Sequence, residues 1–244
     1  MGKAADLKAA TADLAAHADN AKAEHAARYF KTGPGEYGEG ERFRGVRVPV
    51  LRRLARKYWT LPLPSVETLL ISPYHEDRLF ALLCMIRRFQ KGDERIRTEI
   101  FEMYVLRMRY VNNWDLVDTS APHIVGAHFR KRDRSAIHDL ARSPSIWERR
   151  IAMMATFHFI KQDDFADALG VARVLLRDPE DLIHKAVGWM LREIGSRNEQ
   201  LARDFLNQHH LEMPRTMLRY AIEKLPDDHR RMYLPRPDRR TARL

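Results

Sequence analysis

The sequence predicts an all-α fold, and three observations carry that prediction. Apolar residues recur at helical spacing along most of the chain, while the alternation of a half-buried strand is almost absent. The 11 glycines and 12 prolines are few and fall mostly between the apolar runs, as in Leu61-Pro62-Leu63-Pro64 and Ser143-Pro144. Helices of similar character also return at a near-constant interval, which marks a helical repeat array. About a dozen helices joined by short turns are expected from these runs.

The chain has 244 residues, of which 45% are hydrophobic, enough to bury a substantial core and to exclude disorder as the default. A single domain over 1–244 is expected, with 1–12 and 236–244 frayed. The opening Met1-Gly2-Lys3-Ala4-Ala5-Asp6 holds no long apolar segment, so no secretory signal is expected, and Asp6 argues against myristoylation. No stretch approaches the length of apolar chain that spans a bilayer. The net charge of +10 and pI of about 9.9 favour a polyanionic partner, nucleic acid before a membrane surface, with solubility charge alone as the bland alternative.

The longest non-helical segment runs from Thr32 to Gly45, with five glycines in 14 residues, each of which costs about 1 kcal/mol inside a helix. It lacks the GxxxxGK[ST] pattern and no strand precedes it, so a structured connection feeding a helix at Val48-Pro49 is the better reading than a nucleotide loop. Further on, Cys84 lies in the apolar run Leu79–Ile86 and reads as a small core residue, not a nucleophile. One cysteine forms neither an internal disulfide nor a thiolate cluster, which suits a reducing, cytoplasmic setting. With His209 and His210 adjacent and no HExxH or Cys/His ligand spacing, neither a metal site nor any cofactor is expected.

The run Asn112-Asn113-Trp114-Asp115-Leu116-Val117-Asp118 places two carboxylates beside an indole in a basic chain. Asn112 or Asn113 is a good N-cap for a helix starting near Trp114, which sets Trp114 and Asp118 on one face at i and i+4. Asp115 falls in the first turn, where a carboxylate complements the helix dipole. Pro122 cannot donate to the carbonyl of Asp118, so the helix is expected to bend there. Trp114 and Trp189 are each compatible with ordinary core positions. Gly188, beside Trp189, suits close approach of another helix or a ligand.

Basic residues recur near the start of apolar faces at Arg78, Arg150, Lys185 and Arg219. The steps are 72 (two of 36, with Trp114 halfway), 35 and 34 residues. Stacked helix pairs turn one basic residue per repeat into a stripe on a concave face that tracks a phosphate backbone. The alternative is that these side chains snorkel at the ends of core helices.

Trp114–Asp118, Ile146-Trp147-Glu148-Arg149-Arg150 and His184-Lys185-Ala186-Val187-Gly188-Trp189-Met190-Leu191-Arg192-Glu193 resemble segments of the AlkD-type bacterial DNA alkylation repair glycosylases. Tyr29-Phe30-Lys31 and Gly45–Pro49 are similar to that family's N-terminal region, so the resemblance covers nearly the whole chain. It implies a right-handed superhelical solenoid of antiparallel, HEAT-like helix pairs with a concave basic face. It also implies a monomer acting on double-stranded DNA that carries N3- or N7-alkylated purines. By the same resemblance Asp118 matches the catalytic aspartate, and Trp114 and Trp189 match the tryptophans that contact the lesion's deoxyribose. Arg150 matches a DNA-contacting arginine, and Tyr29, Arg47, Arg149 and Lys185 are further candidates for DNA contact. Reaction without base flipping is implied too. The rival expectations are a non-catalytic helical-repeat protein that binds nucleic acid through basic residues alone, and a protein–protein scaffold.

Overall fold

A computed structural model describes residues 6–234. The basic stretch 236–244, expected to fray, lies outside the described residues, as does most of the opening segment. Helices are the regular structure of the described residues, with no strand among them and one isolated bridge between Arg42 and Tyr74. They fall into two compact units, the first ending at Lys131 and the second beginning at Arg132.

The first unit contains α1 (Leu7–Ala16), α2 (Asn20–Tyr29), α3 (Val48–Tyr58), α4 (Leu63–Leu70), α5 (His75–Lys91), α6 (Glu94–Leu106) and α7 (Trp114–Ser120). Residues 7–12, expected to fray, instead form the start of α1, because the Asp6 carboxylate caps it by accepting from the Lys8 N–H at 3.0 Å. Pro49 and Pro64 sit in the first turns of α3 and α4, where a missing N–H costs nothing. α5 is the central helix and packs on α3, α4, α6 and α7. It buries Leu79, Phe80, Leu82, Met85 and Phe89, each contributing about 1.5–3 kcal/mol by leaving water. Cys84 is buried there as expected, and burial pushes its thiol up to about 12, so it stays protonated and unreactive.

The second unit contains α8 (Ser135–Leu140), α9 (Ile146–Ala155), α10 (Phe157–Ile160), α11 (Ala166–Val174), α12 (Asp181–Gly195), α13 (Glu199–His209), α14 (Arg215–Ala221) and α15 (Asp227–Tyr233). α12 is its hub and packs on α9, α13 and α14. Gly188 permits that packing: a Cβ there would lie 2.4 Å from the Met217 carbonyl oxygen and 2.6 Å from Tyr220 Cβ.

The same turn opens three helices, in a register that differs by one residue from the sequence expectation. Ser72-Pro73 precedes α5, Ser143-Pro144 precedes α9, and Asp178-Pro179 precedes α12. In each copy the first side chain accepts the N–H two residues on: Tyr74 to Ser72 Oγ at 3.2 Å, Ser145 to Ser143 Oγ at 3.1 Å, Glu180 to Asp178 Oδ1 at 3.0 Å. Its carbonyl is bonded by the side chain six residues on: Arg78 at 3.0 Å, Arg149 at 3.0 Å, His184 at 2.5 Å. Arg78 therefore corresponds to Arg149 and His184, not to Arg150 and Lys185. These side chains close loops at helix starts.

Candidate functional site

α7 begins at Trp114 because Asn113, fully buried, caps it; Asn113 Oδ1 accepts the Trp114 N–H at 2.8 Å. It ends at Ser120, after which Pro122–Gly126 form a π-helical turn closed by the Gly126 N–H on the Ala121 carbonyl at 2.9 Å. The break expected at Pro122 is thus present, as a widening of the helix rather than a simple bend. Trp114 and Asp118 share one face of this two-turn helix, both half-buried. Behind Asp118 the buried Tyr104 hydroxyl pairs with Ser120 Oγ at 3.0 Å. Burial chiefly, and the nearby Asp118 carboxylate, raise the Tyr104 phenol above its usual range and keep it protonated.

The Trp114 indole stacks on Phe30, with centroids 5.4 Å apart, and meets the Tyr29 ring edge-on at 6.1 Å. Phe30 also stacks on Phe43 at 5.3 Å, and both phenyl rings lie 4.9 Å from the His75 imidazole. Tyr29 is 59% exposed. A cavity of about 360 Å³ opens beside this aromatic group, lined by Lys22, Phe43, Arg47, Val48, His75 and Asp115 among others.

Sequence reasoning missed His75, and it gave Asp115 only its first-turn role, which the structure keeps. Asp115 does not merely complement the helix dipole: its Oδ2 bonds His75 Nε2 at 2.8 Å, and His75 Nδ1 bonds Glu41 of the glycine-rich loop at 3.1 Å. Glu41 is also paired with Arg78. Burial favours the neutral imidazole most strongly, but the hydrogen bonds to Asp115 and Glu41 outweigh it and raise His75 to about 9. Burial opposes ionisation of Glu41 as well, yet His75 and Arg78 hold its carboxyl below the usual range. Near pH 7 the group is therefore two cations and two carboxylates, neutral as a whole.

The raised imidazole pKa makes a pH dependence. Its stabilisation is complete below the unfolded value of 6.5 and is lost as pH rises through about 9. Integrated over that window it amounts to about 3 kcal/mol. Urea midpoints should fall between pH 6.5 and 9, and His75→Gln should flatten that fall; equal slopes in both proteins would remove His75 as the titrating group.

The same helix start anchors the rest of the loop. Glu76 accepts the N–H groups of Arg44 at 2.8 Å, Gly45 at 2.8 Å and Val46 at 3.2 Å, and Asp77 takes the Arg44 guanidinium through two bonds at 2.7 and 2.8 Å. The loop is a structured connection, as expected, and these N–H groups are occupied by a carboxylate instead of cradling a phosphate. For the register of these helix starts, though not for His75, a usable signal was the internal match of Ser72-Pro73-Tyr74-His75-Glu76-Asp77-Arg78 to Ser143-Pro144-Ser145-Ile146-Trp147-Glu148-Arg149.

The second unit holds Trp189, Arg149, Arg150 and Lys185. Trp189 is half-buried on α12, its Nε1 donating to Glu193 at 3.0 Å and its ring 5.8 Å from Phe157. Lys185 pairs with Asp181 one turn earlier at 2.7 Å. Arg149 donates to Asp178 and to the carbonyls of Ser143 and Pro144, and Arg150 is buried with a bond to the Leu182 carbonyl. Both arginines brace the fold. In the first unit Arg47, at the entry to α3, is exposed.

No helix among the described residues is long and apolar enough to cross a membrane, and no cluster of His, Cys, Asp and Glu there is disposed to hold a metal ion. Two solved structures share the fold. One is described as a predicted DNA alkylation repair enzyme from Enterococcus faecalis, with TM-score 0.67 and 16% identity over 86% of this chain and 98% of that one. The other is AlkD2 from Streptococcus mutans, with TM-score 0.52 and 18% identity over 91% of this chain and all of that one. No curated protein matches the sequence. The family described as DNA alkylation repair enzyme matches residues 10–225, nearly the whole described chain, and the protein belongs to that family.

Proposed function

We propose that the protein is a DNA glycosylase that removes cationic N3- and N7-alkylated purines from duplex DNA. The observation that carries this reading is the pairing of Trp114 and Asp118 on one half-buried face of α7, next to the exposed Tyr29, in a chain of net charge +10. A basic DNA-binding surface has no use for a carboxylate against phosphate; it has one where positive charge develops.

An alkylated N3 or N7 gives the purine a formal positive charge, so the base is an activated leaving group without protonation. As the bond from C1′ to the base nitrogen breaks, its electron pair goes to the nitrogen, and the base departs neutral. The sugar becomes oxocarbenium-like. Asp118 stabilises that cation electrostatically and takes a proton from the water that adds to C1′, leaving an abasic site. The Trp114 indole adds cation–π attraction of roughly 0.5–2 kcal/mol to the cationic nucleoside. Attack on the sugar needs no pocket for the base, which supports reaction on a stacked lesion without flipping. The chemistry calls for neither metal nor cofactor.

A phosphate contact falls to the exposed Arg47 more readily than to the half-buried, Asp181-paired Lys185 or to Arg149 and Arg150, which already brace helix starts. Arg47→Ala should reduce the slope of log K against log[salt] by about one. An unchanged slope takes Arg47 out of the interface. The test of the reading itself is release of free N7-methylguanine from a methylated duplex under single-turnover conditions. Duplex binding without base release would turn the conclusion to a non-catalytic DNA-binding repeat protein.

A further inference from the structure

We propose that His75 is a positioning residue for this reaction: clasped between Glu41 of the glycine-rich loop and Asp115 of α7, it fixes the first turn of α7 and with it the Trp114 indole and the Asp118 carboxylate. The inference rests on the glycosylase reading for its catalytic consequence, but its structural part stands alone.

Three observations carry it. α7 is a helix of only 7 residues, too short to hold its own orientation, and it ends in a π turn instead of a longer helix. At its N-terminal end, the bond from Asp115 to His75 at 2.8 Å ties it to the long central helix, whose side chain reaches on to the loop at Glu41. His75 is also in ring contact with Phe30 and Phe43, and Phe30 is the ring on which Trp114 stacks. The imidazole thus holds α7 twice, through the Asp115 carboxylate and through the aromatic group under the indole. The charged groups facing it are Glu41, Asp115 and, through Glu41, Arg78. Glu76 and Asp77 on the same helix are turned to the backbone and guanidinium of the loop.

The charge balance matters as well as the geometry. Asp115 lies three residues before Asp118 on α7, and an imidazolium bonded to Asp115 offsets its negative charge. Asp118 then acts on the sugar from a helix whose other carboxylate is paired with a cation.

The test uses His75→Gln, which keeps a hydrogen-bonding side chain but carries no charge, and Asp115→Asn as a milder variant should the first fail to fold. Each is compared with wild type in single-turnover base release, in duplex affinity, and in the ¹⁹F spectrum of protein labelled with 5-fluorotryptophan, the Trp114 resonance being assigned with Trp114→Phe. The expected result is base release slowed tenfold or more, duplex affinity within about twofold, and a Trp114 resonance shifted or broadened while those of Trp59, Trp147 and Trp189 stay in place. The double variant H75Q/D115N, an uncharged hydrogen-bonding pair, should recover part of the rate. If wild type releases base and both single variants match its rate with the Trp114 resonance unmoved, the positioning role is overturned and the glycosylase reading stands. If wild type releases no base, the glycosylase reading is overturned, and an unmoved resonance would then overturn the positioning role too.

Discussion

Asp118→Asn should slow base release from an alkylated duplex by 100- to 1000-fold while leaving duplex affinity equal or slightly higher. A carboxylate about 4 Å from a developing unit charge, in surroundings of effective dielectric constant near 20, is worth roughly 4 kcal/mol, or three powers of ten in rate. Some of that is recovered by the amide dipole and by water, which gives the lower end of the range. Affinity moves the other way because the substituted charge repels phosphate in the ground state. Asparagine is nearly the same size and keeps a hydrogen-bonding side chain at this half-buried position. A rate within a factor of three of wild type would take Asp118 out of the chemistry. The face of α7 would then be the start of a π turn and nothing more.

Gly45→Ala should be the most damaging small substitution in the first unit, costing about 4 kcal/mol or more. Gly45 has φ +78°, which costs an alanine roughly 1–2 kcal/mol by itself. The larger part is steric: an added Cβ would sit 2.0 Å from the Asp19 carbonyl oxygen and 2.8 Å from the Ala23 nitrogen, both backbone atoms that no rotamer change can move. Relief requires the loop to leave α2, which breaks the bond from the Asp19 N–H to the Arg44 carbonyl at 2.8 Å and strains the Glu76 bond to Gly45. Against a total stability of 5–15 kcal/mol, such a loss is large enough to unfold a sizeable fraction at 37 °C. Urea denaturation measures it. A change below about 1 kcal/mol would mean that the loop docks more loosely than the geometry states.

Local features were legible in the sequence in proportion to how local their causes are. Helix faces follow from spacing, so the Trp114–Asp118 face, the Asn113 cap and the disruption at Pro122 are readable without any partner. Gly188 was readable as a site of close approach, and α14 is the helix that approaches. The repeat was legible in period, but basic residues gave the wrong register; the loop-closing Ser-Pro and Asp-Pro pairs give it correctly, because they carry the geometry each helix start needs. His75 was out of reach. Its partners Glu41 and Asp115 lie 34 and 40 residues away, and a His-Glu-Asp run at a helix start reads as solvated charge complementing the dipole. Only the tertiary fold turns that run into a buried network. The internal bonds of Arg149 and Arg150, to Asp178 and to loop and helix carbonyls, were likewise visible only in the fold.

Asp178 belongs to two loop closures at once. Its side chain and carbonyl complete the turn that opens α12, and its carboxylate also receives the Arg149 guanidinium that closes the turn before α9. Neither turn can open without loosening the other. The two repeats therefore share an interlock, and hydrogen exchange in α9 and α12 should report one opening event with one free energy instead of two separate ones.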